Sequence, residues 1–137
     1  MIKIGINGMG RLGKIILRLI QKEENAEVTV VNHPMVDGGY LENYLRYDTI
    51  YGRFPGRIEE KEDIIIIGNS KIRLHSEDNI TENIWQDCDV LIDTAGKTSK
   101  KDYEKILMQG VKLVITTGSE GEMFYYKISE STSNIIS

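Results

Sequence analysis

Three glycines, Gly8, Gly10 and Gly13, are spaced as G-x-G-x-x-G directly after the β-rich run of residues 2–6. Apolar residues then recur at helical spacing, at positions 12, 15, 16, 19 and 20. A turn of this kind between a strand and a helix suits an anionic diphosphate. The first glycine permits a tight turn, the second lets a ligand approach the backbone, and the third lets the helix pack on the strand. The helix N-terminus then offers N–H groups to phosphate oxygens. The alternative is a purely structural glycine turn, but the surrounding strand-helix-strand pattern favours a dinucleotide site.

A second predicted strand, residues 27–32, ends at His33, twenty positions after Gly13. Dinucleotide-binding units usually hold Asp or Glu here, which accepts hydrogen bonds from both hydroxyls of the adenosine ribose and repels a 2'-phosphate. A neutral imidazole accepts one hydrogen bond, whereas an imidazolium attracts that phosphate. His33 therefore predicts a site that is less selective for NAD over NADP. The sequence leaves open the alternative of a solvated strand-end histidine with no part in binding.

Strands and helices that would position these residues alternate along the chain. After the first strand-helix-strand unit, a helical pattern covers residues 40–47, and strands are predicted at 89–93 and 112–117 around a polar helix at 99–109. Between residues 57 and 75 short apolar or alternating runs, interrupted by Gly68-Asn69, predict an antiparallel hairpin insertion. The predicted fold class is α/β: a Rossmann-type, doubly wound, mostly parallel sheet with that insertion, in a single domain over residues 1–137.

Composition and charge exclude several classes of protein. A chain with 28% charged and 40% hydrophobic residues is typical of globular proteins, and its net charge of -4 gives no basic surface for nucleic acid. The longest strongly apolar run, residues 64–67, is far shorter than the ~20 residues of a membrane helix, so no span is predicted. One cysteine and an N-terminus without a signal-peptide core predict a cytoplasmic protein. Two histidines and one cysteine predict no metal site.

Motifs spread over most of the chain match those of a known enzyme family. INGMGRLGK corresponds to the family pattern INGFGRIGR, VVNHP to IND-P, GNSKIR to NGKKIR, DTAG to ESTG and KLVITT to KKVIIS. A tyrosine-rich segment ends in YDTIYGRF where the family has YDS-HGRF, and Met123-Phe124 follow as in the family. The sequence therefore resembles the N-terminal NAD-binding domain of phosphorylating glyceraldehyde-3-phosphate dehydrogenase.

This resemblance implies a set of residues that meet the cofactor, NAD or NADP. Those it places around the pyrophosphate are Asn7, Gly8, Gly10, Arg11, Leu12 and Gly13. Thr94 and Gly96 fall near the adenine and the cofactor ribose, and Thr116 falls near the nicotinamide. The departures lie at the adenosine end: His33 replaces the ribose Asp, and Asp78 stands where the family usually has Arg. Ala95 and Thr98 likewise replace a threonine and an aromatic residue of the family pattern.

The family's catalytic groups have no clear counterpart in this sequence. Its nucleophile is a cysteine in SNASCTTN, activated by a histidine of the following domain. The segment SNIIS can be laid over SNASC, which sets Ser137 at the nucleophile's place, but no base accompanies that serine. Cys88 precedes the predicted strand 89–93 and so lies away from the edge where ligands bind. The resemblance implies a dinucleotide-binding module with no catalytic residue and no dehydrogenase activity of its own.

Two other functions remain open at this point. One is a non-catalytic interaction protein that keeps the scaffold but not the cofactor, which the changes at His33 and Asp78 would suit. The other is one half of a split dehydrogenase whose catalytic half is a separate chain. In the family a later helix covers the nucleotide domain, so an uncovered apolar face here predicts a homo-oligomer or a partner protein.

Overall fold

A computed structural model of the chain describes residues 1–33, 58–61, 63–68, 70–95, 98–117, 123–128 and 133–136. The predicted helix at 40–47 lies outside these residues. The strands are β1 (Ile2–Asn7), β2 (Ala26–Asn32), β3 (Ile58–Lys61), β4 (Ile64–Ile67), β5 (Ser70–His75), β6 (Val90–Asp93), β7 (Leu113–Thr117), β8 (Met123–Ile128) and β9 (Ser133–Ile136). The described helices are α1 (Arg11–Ile20) and α2 (Lys100–Met108).

The described strands form one sheet in the order β3-β4-β5-β2-β1-β6-β7-β8-β9. Its centre, from β5 to β7, is parallel, and antiparallel strands flank it on both sides. The chain places β2 and β5 on one side of β1 and then β6 and β7 on the other, so the strand order reverses between β1 and β6. Ligands of such sheets bind outside the carboxyl ends at this reversal. The predicted doubly wound α/β fold is confirmed.

The predicted insertion over residues 57–75 consists of β3 and β4, which lead into β5. Gly68 stands in the turn after β4 with φ of 59°, a conformation that favours glycine. β5 is antiparallel to β4 but parallel to β2, so it belongs to the hairpin and to the parallel centre at once. Strand β9 at residues 133–136 was not predicted from the sequence.

Apolar clusters cover both faces of the parallel centre. On one face Leu17 and Ile20 of α1 pack with Ile4 and Ile6 of β1. On the other face α2 packs with Trp85 and with residues of β6 and β7. Gly5 makes room for the indole, because a Cβ at Gly5 would lie 2.7 Å from Trp85 Cε3. Side chains alternate along a strand, so Gly5 faces Trp85 while its neighbours face α1.

The buried face of α1 differs from the one that the sequence pattern suggests. The helix buries Gly13, Leu17 and Ile20, whereas Leu12 and Leu19 are 40% and 56% exposed. Contact between Gly13 and the preceding turn sets this orientation, because residues at i, i+4 and i+7 lie on one side of a helix. Leu12 and Leu19 then point away from the sheet.

Ser99 caps the N-terminus of α2, and its hydroxyl accepts a hydrogen bond from the Asp102 N–H at 3.2 Å. It ends before Gly110, which has φ of 118°. Neither helix in the described part of the chain has the length and the apolar composition needed to cross a membrane.

Candidate functional site

The glycine turn lies at the carboxyl end of β1, beside the reversal of strand order. Gly8 has φ of 96°, which favours glycine, and its N–H donates to the Asn32 carbonyl at 2.7 Å. A Cβ at Gly13 would clash with the Gly8 carbonyl oxygen, so α1 sits on the turn as closely as backbone allows. The first and third glycines therefore do what the sequence predicted of them: one makes the turn and the other lets the helix approach it.

The N-terminus of α1 is open toward this edge of the sheet. Gly10 is the N-cap residue, no side chain caps the helix, and the first turn contains no acidic residue. A Cβ added at Gly10 would meet nothing within 4 Å among the residues that the structure describes. Arg11 and Leu12, which begin the helix, are both exposed. Uncapped N–H groups and the positive end of the helix dipole meet here, which suits an anion.

Thr94 joins the turn after β1 to the turn after β6. Its hydroxyl lies 3.0 Å from the Asn7 carbonyl oxygen and 3.1 Å from that of Gly8, and both oxygens accept from it. The Thr94 N–H also donates to the Asn7 carbonyl at 2.9 Å. A Cβ at Gly8 would lie 2.6 Å from the Thr94 hydroxyl oxygen, so this contact also requires glycine. Thr94 thus lies beside the glycine turn and links the ends of β1 and β6 by hydrogen bonds.

A row of buried polar side chains crosses the carboxyl ends of the parallel strands just below these turns. The strand pairing brings Asn32, Asn7, Asp93 and Thr116 side by side. The Asn32 amide donates to Asn7 Oδ1 at 2.8 Å, and the Asn7 amide donates to Asp93 Oδ1 at 3.0 Å. All four side chains are buried. We call these four residues the polar row.

Asp93 is the centre of the polar row because three donors converge on its carboxylate. Besides Asn7, the Ala95 N–H donates to Oδ1 at 3.0 Å and the Tyr103 hydroxyl donates to Oδ2 at 2.7 Å. The Tyr103 oxygen also lies 2.9 Å from Thr116 Oγ1. Burial, with a further contribution from Asp93, raises the pKa of Tyr103, so its hydroxyl stays protonated and able to donate.

Sequence reasoning singled out Asn7 and Thr116 but missed three other members of this arrangement. Asn32 and Asp93 are the last residues of their strands and fall within the motifs VVNHP and DTAG, but neither was assigned a role. Tyr103 looked like a member of a polar helix, although it is almost fully buried under the site.

His33 lies at the end of β2 and contacts the glycine turn directly. The Met9 N–H donates to His33 Nδ1 at 3.1 Å. An imidazole nitrogen that accepts a hydrogen bond carries no proton, so the proton of the neutral ring is on Nε2. Burial lowers the pKa of His33, which favours this neutral form. The ring is therefore held against the turn by this hydrogen bond, and a part in dinucleotide binding stays a prediction.

Two other residues predicted for the site are Asp78 and Gly96. Asp78 follows β5 on the same edge of the sheet and is exposed. Gly96 and Ser137 lie outside the described residues. In the ranges that the structure describes, no three His, Cys, Asp or Glu side chains are grouped to hold a metal ion.

Cys88 lies at the opposite edge, before the start of β6. It is 4% exposed, and its thiol donates to the Trp85 carbonyl at 3.2 Å. Burial is the main cause that raises the pKa of Cys88 to about 12, and Asp87 and Asp89 add to it. The thiol is therefore protonated at neutral pH and remote from the glycine turn, which makes it unsuited to be a nucleophile.

Comparison with known proteins agrees with this geometry. The family model described as glyceraldehyde 3-phosphate dehydrogenase, NAD binding domain, matches residues 2–101. The glyceraldehyde-3-phosphate dehydrogenase of Buchnera aphidicola subsp. Schizaphis graminum is 39% identical over 126 residues, which are 89% of this chain and 38% of that protein.

Two further relatives show the same coverage. Glyceraldehyde-3-phosphate dehydrogenase 1 of Giardia intestinalis is 35% identical over 88% of this chain and 37% of its own length. Glyceraldehyde-3-phosphate dehydrogenase A of Escherichia coli K12 is 34% identical over 85% of this chain and 36% of its own length. The chain thus spans little more than a third of the curated relatives it matches.

Proposed function

Since this chain belongs to the family of glyceraldehyde 3-phosphate dehydrogenase NAD-binding domains, we propose that it binds NAD at the carboxyl edge of its sheet, with the cofactor diphosphate against the glycine turn. The observation that carries the proposal is the N-terminus of α1, where a Cβ at Gly10 would meet no atom within 4 Å among the described residues and Gly13 lets the helix lie against the turn. This arrangement supplies backbone donors to an anion without requiring any side chain to move.

Three groups of residues around the turn contact three different parts of the dinucleotide. The N–H groups that begin α1 hold the diphosphate. His33, at the end of β2, stands on the adenosine side, as its place in the strand-helix-strand unit indicates. Thr116, at the end of β7, stands on the nicotinamide side. NAD supplies a nicotinamide ring that accepts a hydride, while this chain binds and orients it.

His33 also bears on the choice between NAD and NADP. Its Nδ1 is occupied by the Met9 N–H, so only Nε2–H remains to contact a ligand. That N–H can donate to a hydroxyl oxygen or to a phosphate oxygen and, unlike a carboxylate, it does not repel a phosphate. We therefore propose that the chain binds NADP as well as NAD, with little preference between them.

The function is tested by titrating both dinucleotides into the wild-type protein and the Gly10→Ala variant. Gly10 has φ of -75° and open space at its Cβ, so alanine should leave the melting temperature unchanged. The added methyl occupies the place where a ligand would approach the backbone, and we expect dinucleotide affinity to fall about tenfold or more. Isothermal titration calorimetry gives the dissociation constants. No saturable binding by the wild type, or equal affinity in the variant, would contradict the proposed site.

We further propose that these 137 residues do not oxidise glyceraldehyde 3-phosphate unaided. The only cysteine, Cys88, is buried at the far edge with a thiol pKa of about 12, so no activated thiolate meets the cofactor site. The measurement is NADH formation from glyceraldehyde 3-phosphate, phosphate and NAD, with the Cys88→Ser variant as control. Turnover that disappears in the control would show that Cys88 is the nucleophile and that the proposal is wrong.

A further inference from the structure

We propose that His33 is a positioning residue that keeps the glycine turn ready for a diphosphate only while its imidazole is neutral, so that affinity for NAD, which has no 2'-phosphate to attract an imidazolium, falls as the ring takes up a proton. This inference rests on the dinucleotide site proposed above. It concerns the hydrogen bond that links the end of β2 to the turn after β1.

The bond from the Met9 N–H to His33 Nδ1, 3.1 Å long, depends on the protonation state of the ring. An imidazolium carries hydrogen on both nitrogens and cannot accept a hydrogen bond. Met9 is 2% exposed, so its N–H would then face another donor with little access to water. An unpaired buried donor is costly, so protonation disfavours the present arrangement of the His33 ring and the turn.

The backbone of His33 is fixed by hydrogen bonds. Protonation of the ring therefore acts on its contact with the turn. The His33 N–H donates to the His75 carbonyl at 3.0 Å, which fixes the end of β2 against β5. On the other side, the Gly8 N–H donates to the Asn32 carbonyl at 2.7 Å. Met9 lies between Gly8 and the N-cap Gly10, so a shift of Met9 changes the direction of the N–H groups proposed to hold the diphosphate.

The burial of His33 sets the direction of its pKa shift, and therefore the pH range of this effect. Burial lowers the pKa of His33 from its usual 6.5, so the ring is neutral at pH 7 and becomes protonated only below pH 6.5. The titratable or charged side chains on the described elements that border this corner are Arg11 at the start of α1 and His75, Glu77 and Asp78 on β5 and the segment after it. His75 is the only other imidazole in the chain.

A histidine at this position differs from the usual carboxylate in its pH response. A carboxylate accepts from a backbone N–H at any pH above about 4, so an Asp or Glu would hold the turn across the physiological range. His33 moves the loss of the acceptor to a higher pH, because the usual pKa of histidine lies above that of a carboxylate. The replacement therefore makes affinity sensitive to pH in a range where a carboxylate would not titrate.

The test uses three variants that distinguish the loss of the hydrogen-bond acceptor at residue 33 from the protonation of its ring. His33→Asn places an amide oxygen where Nδ1 stands, so it keeps an acceptor that does not titrate. His33→Ala removes the acceptor, and His75→Gln removes the other imidazole as a matched control. The dissociation constant for NAD is measured by calorimetry from pH 8 to pH 5.5. We expect wild type and His75→Gln to weaken by up to about tenfold, His33→Asn to stay flat, and His33→Ala to be weak throughout.

A second measurement needs no ligand and separates this inference from the proposed function. In the ligand-free protein, the Met9 amide resonance should shift with the titration of the His33 ring, and this shift should be absent in His33→Asn. If NAD fails to bind at every pH, the proposed function is wrong while the Met9 titration still tests the hydrogen bond. A Met9 amide that does not follow His33, or parallel affinity profiles in wild type and His33→Asn, overturns the inference.

Discussion

Replacement of Asp93 by alanine is expected to lower the free energy of unfolding by about 3–5 kcal/mol. The substitution removes one acceptor from the Asn7 amide, the Ala95 N–H and the Tyr103 hydroxyl. A buried donor that loses its acceptor costs about 1–3 kcal/mol, and alanine also leaves a cavity. The loss should appear in urea denaturation monitored by the fluorescence of Trp85.

The control for Asp93→Ala is Tyr103→Phe, which removes one donor from the same carboxylate. It should cost only about 1–2 kcal/mol, because Asp93 keeps two of its three partners. The double variant should then be less destabilised than the sum of the single variants, since Tyr103 no longer loses its acceptor. If Asp93→Ala is within about 1 kcal/mol of wild type, the polar row does not stabilise the fold as described.

The second large effect is expected for Gly13→Ala. Alanine is better than glycine in a helix by about 1 kcal/mol, so propensity alone predicts a more stable protein. At this position the new Cβ clashes with the Gly8 carbonyl oxygen, which is backbone and cannot rotate away. Overpacking of this kind costs about 1–3 kcal/mol, so we expect net destabilisation and, because the helix moves off the turn, a loss of dinucleotide affinity of about tenfold or more.

Gly5→Ala is the matched control for Gly13→Ala. Its Cβ would lie 2.7 Å from Trp85 Cε3 and 3.0 Å from Cys88 Sγ, on the opposite face of the sheet from α1. Gly5→Ala should therefore lower the melting temperature about as much as Gly13→Ala does. At temperatures where the variant is folded, its dinucleotide affinity should equal that of the wild type. Equal loss of affinity in both variants would show that the effect of Gly13→Ala is merely one of stability.

The sequence pattern predicted the part of the site whose residues are close together in the chain. The glycine turn, its flanking strand and its helix span residues 2–20, and spacing alone identifies them. The inner face of α1 was harder, because leucine and isoleucine occur on more than one side of the helix. Only the contact of Gly13 with the turn decides which side meets the sheet.

The polar row lay beyond local pattern because its bonds join residues that are distant in sequence. Asn7 and Asp93 are 86 positions apart, and they meet only because β1 and β6 are neighbours at the reversal of strand order. The link between Met9 and His33 likewise depends on how two strand ends face one another. Cytoplasmic localisation, binding of NADP, and association with a second copy or a partner protein stay predictions.

The polar row has a consequence for how the strands can slip past one another. Neighbouring parallel strands with nearly continuous apolar sequences pack almost as well when displaced by two residues, because the same kinds of side chain still face the same layer. Displacement of β2 or β6 along β1 would separate Asn7 from Asn32 or Asp93 and bury their amides and carboxylate unpaired. This row of hydrogen bonds thus selects a single register of the strands. The register in turn fixes the positions, along the strand direction, at which the loops after these strands begin.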